Sequence, residues 1–106
     1  MPGNMGNLMK QAQRMQRQME EGQKELETKE FSAKSGGGAV EVVVSGKKEV
    51  LKVTLSEEAV DPDDIETLQD MIVAAANEAL RQAEEANNEL MGKMAGGLGG
   101  LGGLPF

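Results

Sequence analysis

Four cations, Lys10, Arg14, Arg17 and Lys24, recur at spacings of 4, 3 and 7 residues. On a helix those spacings put all four side chains on one face. Such a ridge matches a row of phosphates, and it is also the composition of an ordinary solvated helix face. No acid interrupts it before Glu20, which favours the phosphate-contacting reading. The only aromatic residues are Phe31 and Phe106, with no Trp or Tyr. Single-stranded nucleic acid is usually held by stacking its bases on such rings. The ridge therefore points to the backbone of a duplex, where no stacking is needed.

Other patterns fall short of chemistry. The chain has no Cys and no His. Disulfides, thiolate nucleophiles, Cys-ligated zinc, histidine triads and two-histidine metal sites are excluded. Glu57, Glu58, Asp61, Asp63 and Asp64 offer oxygen ligands for a hard cation, but they lack the EF-hand spacing and its central glycine. They are read as helix capping and solvation. No nucleophile arrangement accompanies them. No catalytic residue, metal, cofactor or small-molecule substrate is assigned. Gly97-Leu98-Gly99-Gly100-Leu101-Gly102 matches G-x-G-x-x-G, yet a dinucleotide site needs a strand before it and a helix after. Here the expected neighbour is a helix on the wrong side. Gly36-Gly37-Gly38 lacks the Lys-Ser/Thr of a phosphate-binding loop and reads as a hairpin turn.

The elements that must position the ridge follow from periodicity. Met5, Leu8, Ala12, Met15, Met19, Gly22 and Leu26 are spaced 3, 4, 3, 4, 3, 4, an a/d heptad pattern. It predicts a helix over about 5–28, with Asn4 or Asn7 as its cap. Lys10, Arg17 and Lys24 fall at f and Arg14 at c, opposite the methionine seam, while Gln11, Gln16, Gln18 and Gln23 flank it. The seam is read as packing surface rather than as a plastic binding groove. Gly22 on it permits close approach of a neighbouring helix. Three short strands are expected at about 30–35, 39–45 and 48–55, joined by glycine turns into an antiparallel meander. Phe31 and Ala33, then Val40, Val42 and Val44, then Leu51, Val53 and Leu55, are the expected buried faces. Val43 and Val50 hint that the other face is partly covered. Residues 56–60 fit a single helical turn.

Asp61-Pro62-Asp63-Asp64 reads as a helix start, with Asp61 capping and Pro62 at the first helical position. The second helix is expected over about 62–94, with the stripe Ile65, Leu68, Ile72, Ala75, Ala79, Ala83, Ala86 and Leu90. The expectation is one domain over 1–95 and a flexible Gly/Leu-rich tail over 96–106. The fold class is α+β: α-β-β-β-α, a small three-stranded antiparallel sheet between two long helices.

The formal net charge of −7 is unevenly spread. Residues 1–19 carry Lys10, Arg14 and Arg17 and no acid, +3; residues 57–89 carry eleven acids against Arg81, −10. The two regions are suited to different jobs. A chain of 106 residues with 2% aromatics has a thin core, which a homodimer would repair. No apolar stretch approaches the ~20 residues of a membrane span, and the start MPGNMGNLMK lacks a signal peptide's basic and apolar segments.

Several motifs carry a resemblance. Met5-Gly6-Asn7-Leu8-Met9-Lys10-Gln11-Ala12-Gln13, then Met15-Gln16, resembles the opening of the YbaB/EbfC family of bacterial nucleoid-associated proteins. The Gly-rich hairpins and Val53-Thr54-Leu55 fit the family's middle. Asp70-Met71-Ile72-Val73-Ala74-Ala75-Ala76-Asn77-Glu78-Ala79 is similar to its second-helix motif, and Leu104-Pro105-Phe106 fits its close. The resemblance implies a tweezers-like homodimer built on the sheet, with the long helices projecting. It implies duplex DNA as partner, in the cytoplasm and on the nucleoid, with an influence on gene expression. By position, Lys10, Arg14, Arg17 and Lys24 match the DNA contacts of the first projecting helix. On the second, Arg81 and Lys93 are the basic residues, set among acids. Asn77 is given a structural role, capping or bridging across the interface. The alternative is a protein-binding coiled-coil module or prefoldin-like holdase without DNA binding. A simple helix–hairpin–helix of that kind has no need of the strand at 30–35.

Overall fold

The computed structural model describes residues 2–97. Helix α1 (Pro2–Thr28) leads into strands β1 (Glu30–Ser35), β2 (Val40–Ser45) and β3 (Val50–Leu55), and helix α2 (Ile65–Gly97) follows. Short 3-10 turns lie at Gly36–Gly38 and Glu57–Ala59. The three strands form one antiparallel sheet in sequence order. The α-β-β-β-α architecture is thus as expected. β1 pairs with β2 along its whole length, Glu30 opposite Ser45 through Ser35 opposite Val40, so the strand that a helix–hairpin–helix does not need is integral here.

The core is narrow and built from small side chains. Val40, Val42 and Val44 of β2 and Ala75, Ala79 and Ala83 of α2 are fully buried. Alternation puts the valines on one face of the strand, and a four-residue repeat lines the alanines along one side of the helix. Methyl-sized side chains let α2 lie close on the sheet. Ala33 and Leu68 complete this core, and Phe31, Met71 and Ile72 pack at its edge. Ser35 fastens the arrangement: its hydroxyl donates to the Met71 carbonyl at 2.6 Å.

β3 departs from expectation. Leu51, Val53 and Leu55 were expected to be buried, but they are 50%, 43% and 38% exposed. Val53 lies opposite Val42 and Leu55 opposite Val40, so they share the face of the core valines. α2 packs over β1 and β2, and its width does not reach the third strand. A register shift between Val43 and Val44 sets Val50 opposite Val44 and leaves Leu51 as the extra residue. Val43 is half-buried, as its neighbours hinted, whereas Val50 is exposed.

Element ends also differ from the sequence expectation. α1 begins at Pro2, so Asn4 and Asn7 lie inside it rather than capping it. Proline suits a first turn, where its missing N–H is not needed. α2 begins at Ile65, not at 62. Asp61 is used one step earlier: its Oδ1 accepts from the Asp63 N–H at 2.9 Å, and its carbonyl accepts from the Asp64 N–H at 3.0 Å. The cap is Asp64, whose Oδ1 accepts from the Thr67 N–H at 3.3 Å and whose Oδ2 accepts from the Thr67 hydroxyl at 2.7 Å. The single turn expected near 56–60 is present, with Ser56 Oγ accepting from the Ala59 N–H. β2 and β3 begin at Val40 and Val50 rather than at 39 and 48, because the preceding residues form the turns. Gly36, Gly37 and Gly38 all take positive φ, which explains a run of glycine there. Gly96 and Gly97 belong to α2. The remainder of the tail expected at 96–106 lies outside the described residues. Among the described residues, no helix is long and apolar enough to cross a membrane.

Candidate nucleic-acid interface

The basic ridge stands on a helix that the rest of the chain barely supports. α1 runs antiparallel to α2 and meets it near Gly22, which lies against Leu90 and Met94. The close approach expected of Gly22 is therefore made within one chain. Toward its N-terminus α1 continues beyond the described end of α2. From Met5 to Glu21 every residue is exposed except Met15, which is half-buried. At 1.5 Å per residue, the overhang from Pro2 to about Arg17 is roughly 25 Å long. It accounts for much of the molecule's 76 Å length, against 29 and 16 Å across. Its apolar seam is bare: Met5 is 69% and Leu8 63% exposed.

Lys10, Arg14 and Arg17 all lie on this overhang and are exposed. With Gln13 they line one shallow groove. Lys24 is also exposed but lies past Gly22, where α1 rejoins the body of the molecule. The structure thus brings three of the four expected cations together and sets the fourth at the base of the arm. Among the described residues, none of the ion pairs engages any of the four.

Two cations of the body, Arg81 and Lys48, are occupied, while Lys34, Lys47 and Lys52 are exposed with no ion pair among the described residues. Arg81 of α2 donates through Nη2 and Nε to the two Glu78 carboxylate oxygens, at 2.7 and 3.0 Å, and through Nη1 to Glu85 at 3.1 Å. The hydrogen bond to Glu78 raises the Arg81 pKa further and holds the Glu78 carboxyl below its ordinary value. A depressed carboxylate adds stability that is present above its unfolded value of 4.5 and is lost as the pH falls through its folded value. The pair is solvent-exposed, so that contribution is small. Lys48 pairs with Glu84. Lys93 is exposed and lines the groove between the helices with Glu25, Lys29 and Glu89. Asn77 stands exposed on α2. Gly46, expected only as part of the second hairpin turn, and Asn87, given no role by sequence, meet where α1 joins the sheet. They are 41 positions apart, and no local pattern links them.

The geometry defines a helix–sheet–helix protein with three exposed cations on a projecting arm. The family profile described as the YbaB/EbfC DNA-binding family matches residues 1–98. The chain belongs to this family, one of DNA-binding proteins rather than enzymes. A nucleoid-associated protein of Agathobacter rectalis is 71% identical over 100 residues, covering 94% of this chain and 88% of the relative. One of Lachnoclostridium phytofermentans is 66% identical, covering 98% and 87%. The crystal structure of an uncharacterized Helicobacter pylori protein superposes with a TM-score of 0.70 at 23% identity, over 86% of this chain and 92% of that one. That likeness concerns the fold.

The contrast between free and occupied guanidinium groups gives an expected outcome. Arg14→Gln lowers affinity for a short duplex at low salt by about tenfold, the scale of one or two lost phosphate contacts. Arg81→Gln leaves it within about twofold, because its charge is already matched by two carboxylates. Parallel duplex-binding titrations of the two variants check this.

Proposed function

We propose that this chain works as a homodimer that holds duplex DNA through backbone phosphates, as a nucleoid-associated protein of the bacterial cytoplasm. The observation that carries the reading is the arm itself. Lys10, Arg14 and Arg17 stand exposed on one face of a projecting helix, ahead of the first acid, Glu20. Lys24 extends the ridge toward its base, where Glu20, Glu21, Glu25 and Glu27 surround it in sequence and weaken its pull. Charges at this spacing recognise the regular negative row of a duplex and not its base edges. The relatives' shared description as nucleoid-associated proteins supports the same reading. Binding that is indifferent to sequence spreads along DNA, and where it covers promoters it influences expression.

The homodimer is supported by β3. Val50, Leu51, Val53 and Leu55 form a bare apolar edge beside a core only two strands wide. A strand in that state is a ready surface for another chain. A second copy seated there would cover it and present two arms. One arm supplies about two or three phosphate contacts, and two supply enough for useful affinity against the repulsion of the acidic α2.

Two experiments test the parts separately. Lys10→Glu with Arg14→Glu weakens binding by about a hundredfold at low salt, as expected for the loss of two or more phosphate contacts. The loss is the same for unrelated duplex sequences, and the circular dichroism spectrum is unchanged. Wild-type affinity in that folded variant contradicts the ridge. Val53→Lys puts a charge into the proposed apolar contact, and sedimentation then shows a monomer where the parent chain sediments as a dimer. A variant that still sediments as a dimer places the interface elsewhere.

A further inference from the structure

Three segments distant in sequence converge where α1 ends. Gly46, in the β2–β3 turn, is buried and donates its N–H to the Lys29 carbonyl at 3.0 Å, immediately after α1. The Asn87 amide nitrogen on α2 donates to the Gly46 carbonyl at 3.1 Å and to the Ala83 carbonyl at 2.8 Å. Both N–H groups of that amide are thus committed, one to its own helix and one to the turn. Nothing larger than glycine fits at 46. A Cβ there would collide with the carbonyl of Leu26, which is backbone and can give way only if α1 itself shifts. Ser45, the one buried polar side chain among the described residues, braces the same turn: its Oγ accepts from the Lys47 and Glu49 N–H groups at 3.2 and 3.3 Å.

This junction and the Gly22–Leu90 contact hold α1 to the body of the molecule. The two differ in stiffness. At Gly22 the neighbours are the ends of flexible side chains, Leu90 Cδ1 and Met94 Cε. At Gly46 they are backbone atoms and directed hydrogen bonds. The angle at which α1 leaves the sheet is therefore set chiefly at Gly46 and Asn87. The lever is long: from Gly22 to Pro2 is roughly 30 Å of helix. A tilt of about 10° at the base moves the tip about 5 Å, more than the ~3.4 Å rise between phosphates on one strand.

We infer that Gly46 and Asn87 are positioning residues, which fix the direction of α1 and so hold Lys10, Arg14 and Arg17 in register with the duplex backbone. This rests on the proposed ridge, and the test separates the two. The chain has no cysteine, so cysteines introduced at the exposed positions Gln13 and Ser32 report the α1–sheet distance through attached spin labels. Doubly labelled full chain is diluted with an excess of unlabelled chain, so that only distances within a subunit are read. Asn87→Asp keeps the shape and removes the amide donor. Gly46→Ala forces the Leu26 carbonyl away.

In both variants the distance distribution shifts or broadens by several ångströms, and affinity for a short duplex falls about tenfold. Should Gly46→Ala fail to fold, Asn87→Asp alone carries the test. An unchanged distribution in folded Asn87→Asp overturns the inference. A shifted distribution with undiminished DNA affinity leaves the junction's control of α1 standing and overturns its link to binding, whereas the ridge itself stands or falls by the Lys10→Glu, Arg14→Glu variant.

Discussion

Three valines of β2 packed on three alanines of α2 are the contact on which the rest of this molecule depends. Each buried valine contributes on the order of 2 kcal/mol, and the alanines contribute less by area than by letting the helix lie close. The strip this makes is two strands wide. A wider helix face or a bulkier stripe would have reached β3 and covered Val53 and Leu55. As built, the single chain ends its core early, and both the apolar edge at β3 and the methionine seam of α1 remain exposed. The same economy frees α1 to project, since little of it is needed for packing.

Charge is arranged around that division. Lys10, Arg14 and Arg17 stand free on the projecting arm, whereas on the body Arg81 and Lys48 are matched by Glu78, Glu85 and Glu84 and the remaining lysines are outnumbered by acids. A body rich in acid repels DNA and other copies of itself, and a basic arm attracts DNA. Over roughly 25 Å of helix the two influences are separated by more than a Debye length at physiological salt. The arm can therefore act as a local cation despite a net charge of −7.

Much of this was legible in the sequence, for reasons that differ by element. The alternation of Val40, Val42 and Val44 and the repeat of Ala75, Ala79 and Ala83 fix both faces of the core, because periodicity and burial are coupled in regular elements. The glycine run at 36–38 announces a turn with positive φ. What could not be seen depends on tertiary width and on choices among equivalent groups. Leu51, Val53 and Leu55 alternate as a buried face does, and only the placement of α2 shows that nothing among the described residues covers them. Asp61 and Asp64 are both good caps by type, and the turn at Pro62 consumes one of them. The cations Lys10, Arg14, Arg17 and Lys24 share a helix face by spacing alone, yet their division between a free arm and its base becomes visible only where Gly22 meets Leu90. Gly46 signals a turn, but nothing local links it to Asn87, since their partnership is made by the fold.

The most direct measurement is fluorescence anisotropy of a labelled duplex titrated with the protein over a range of salt concentrations. A pair of basic arms neutralising about four to six phosphates predicts that log K falls linearly with log salt at a slope of about −4 to −5. Absence of binding at the lowest salt, where the attraction is strongest, or an affinity that does not respond to salt, would contradict the account of the arm as the DNA-binding element.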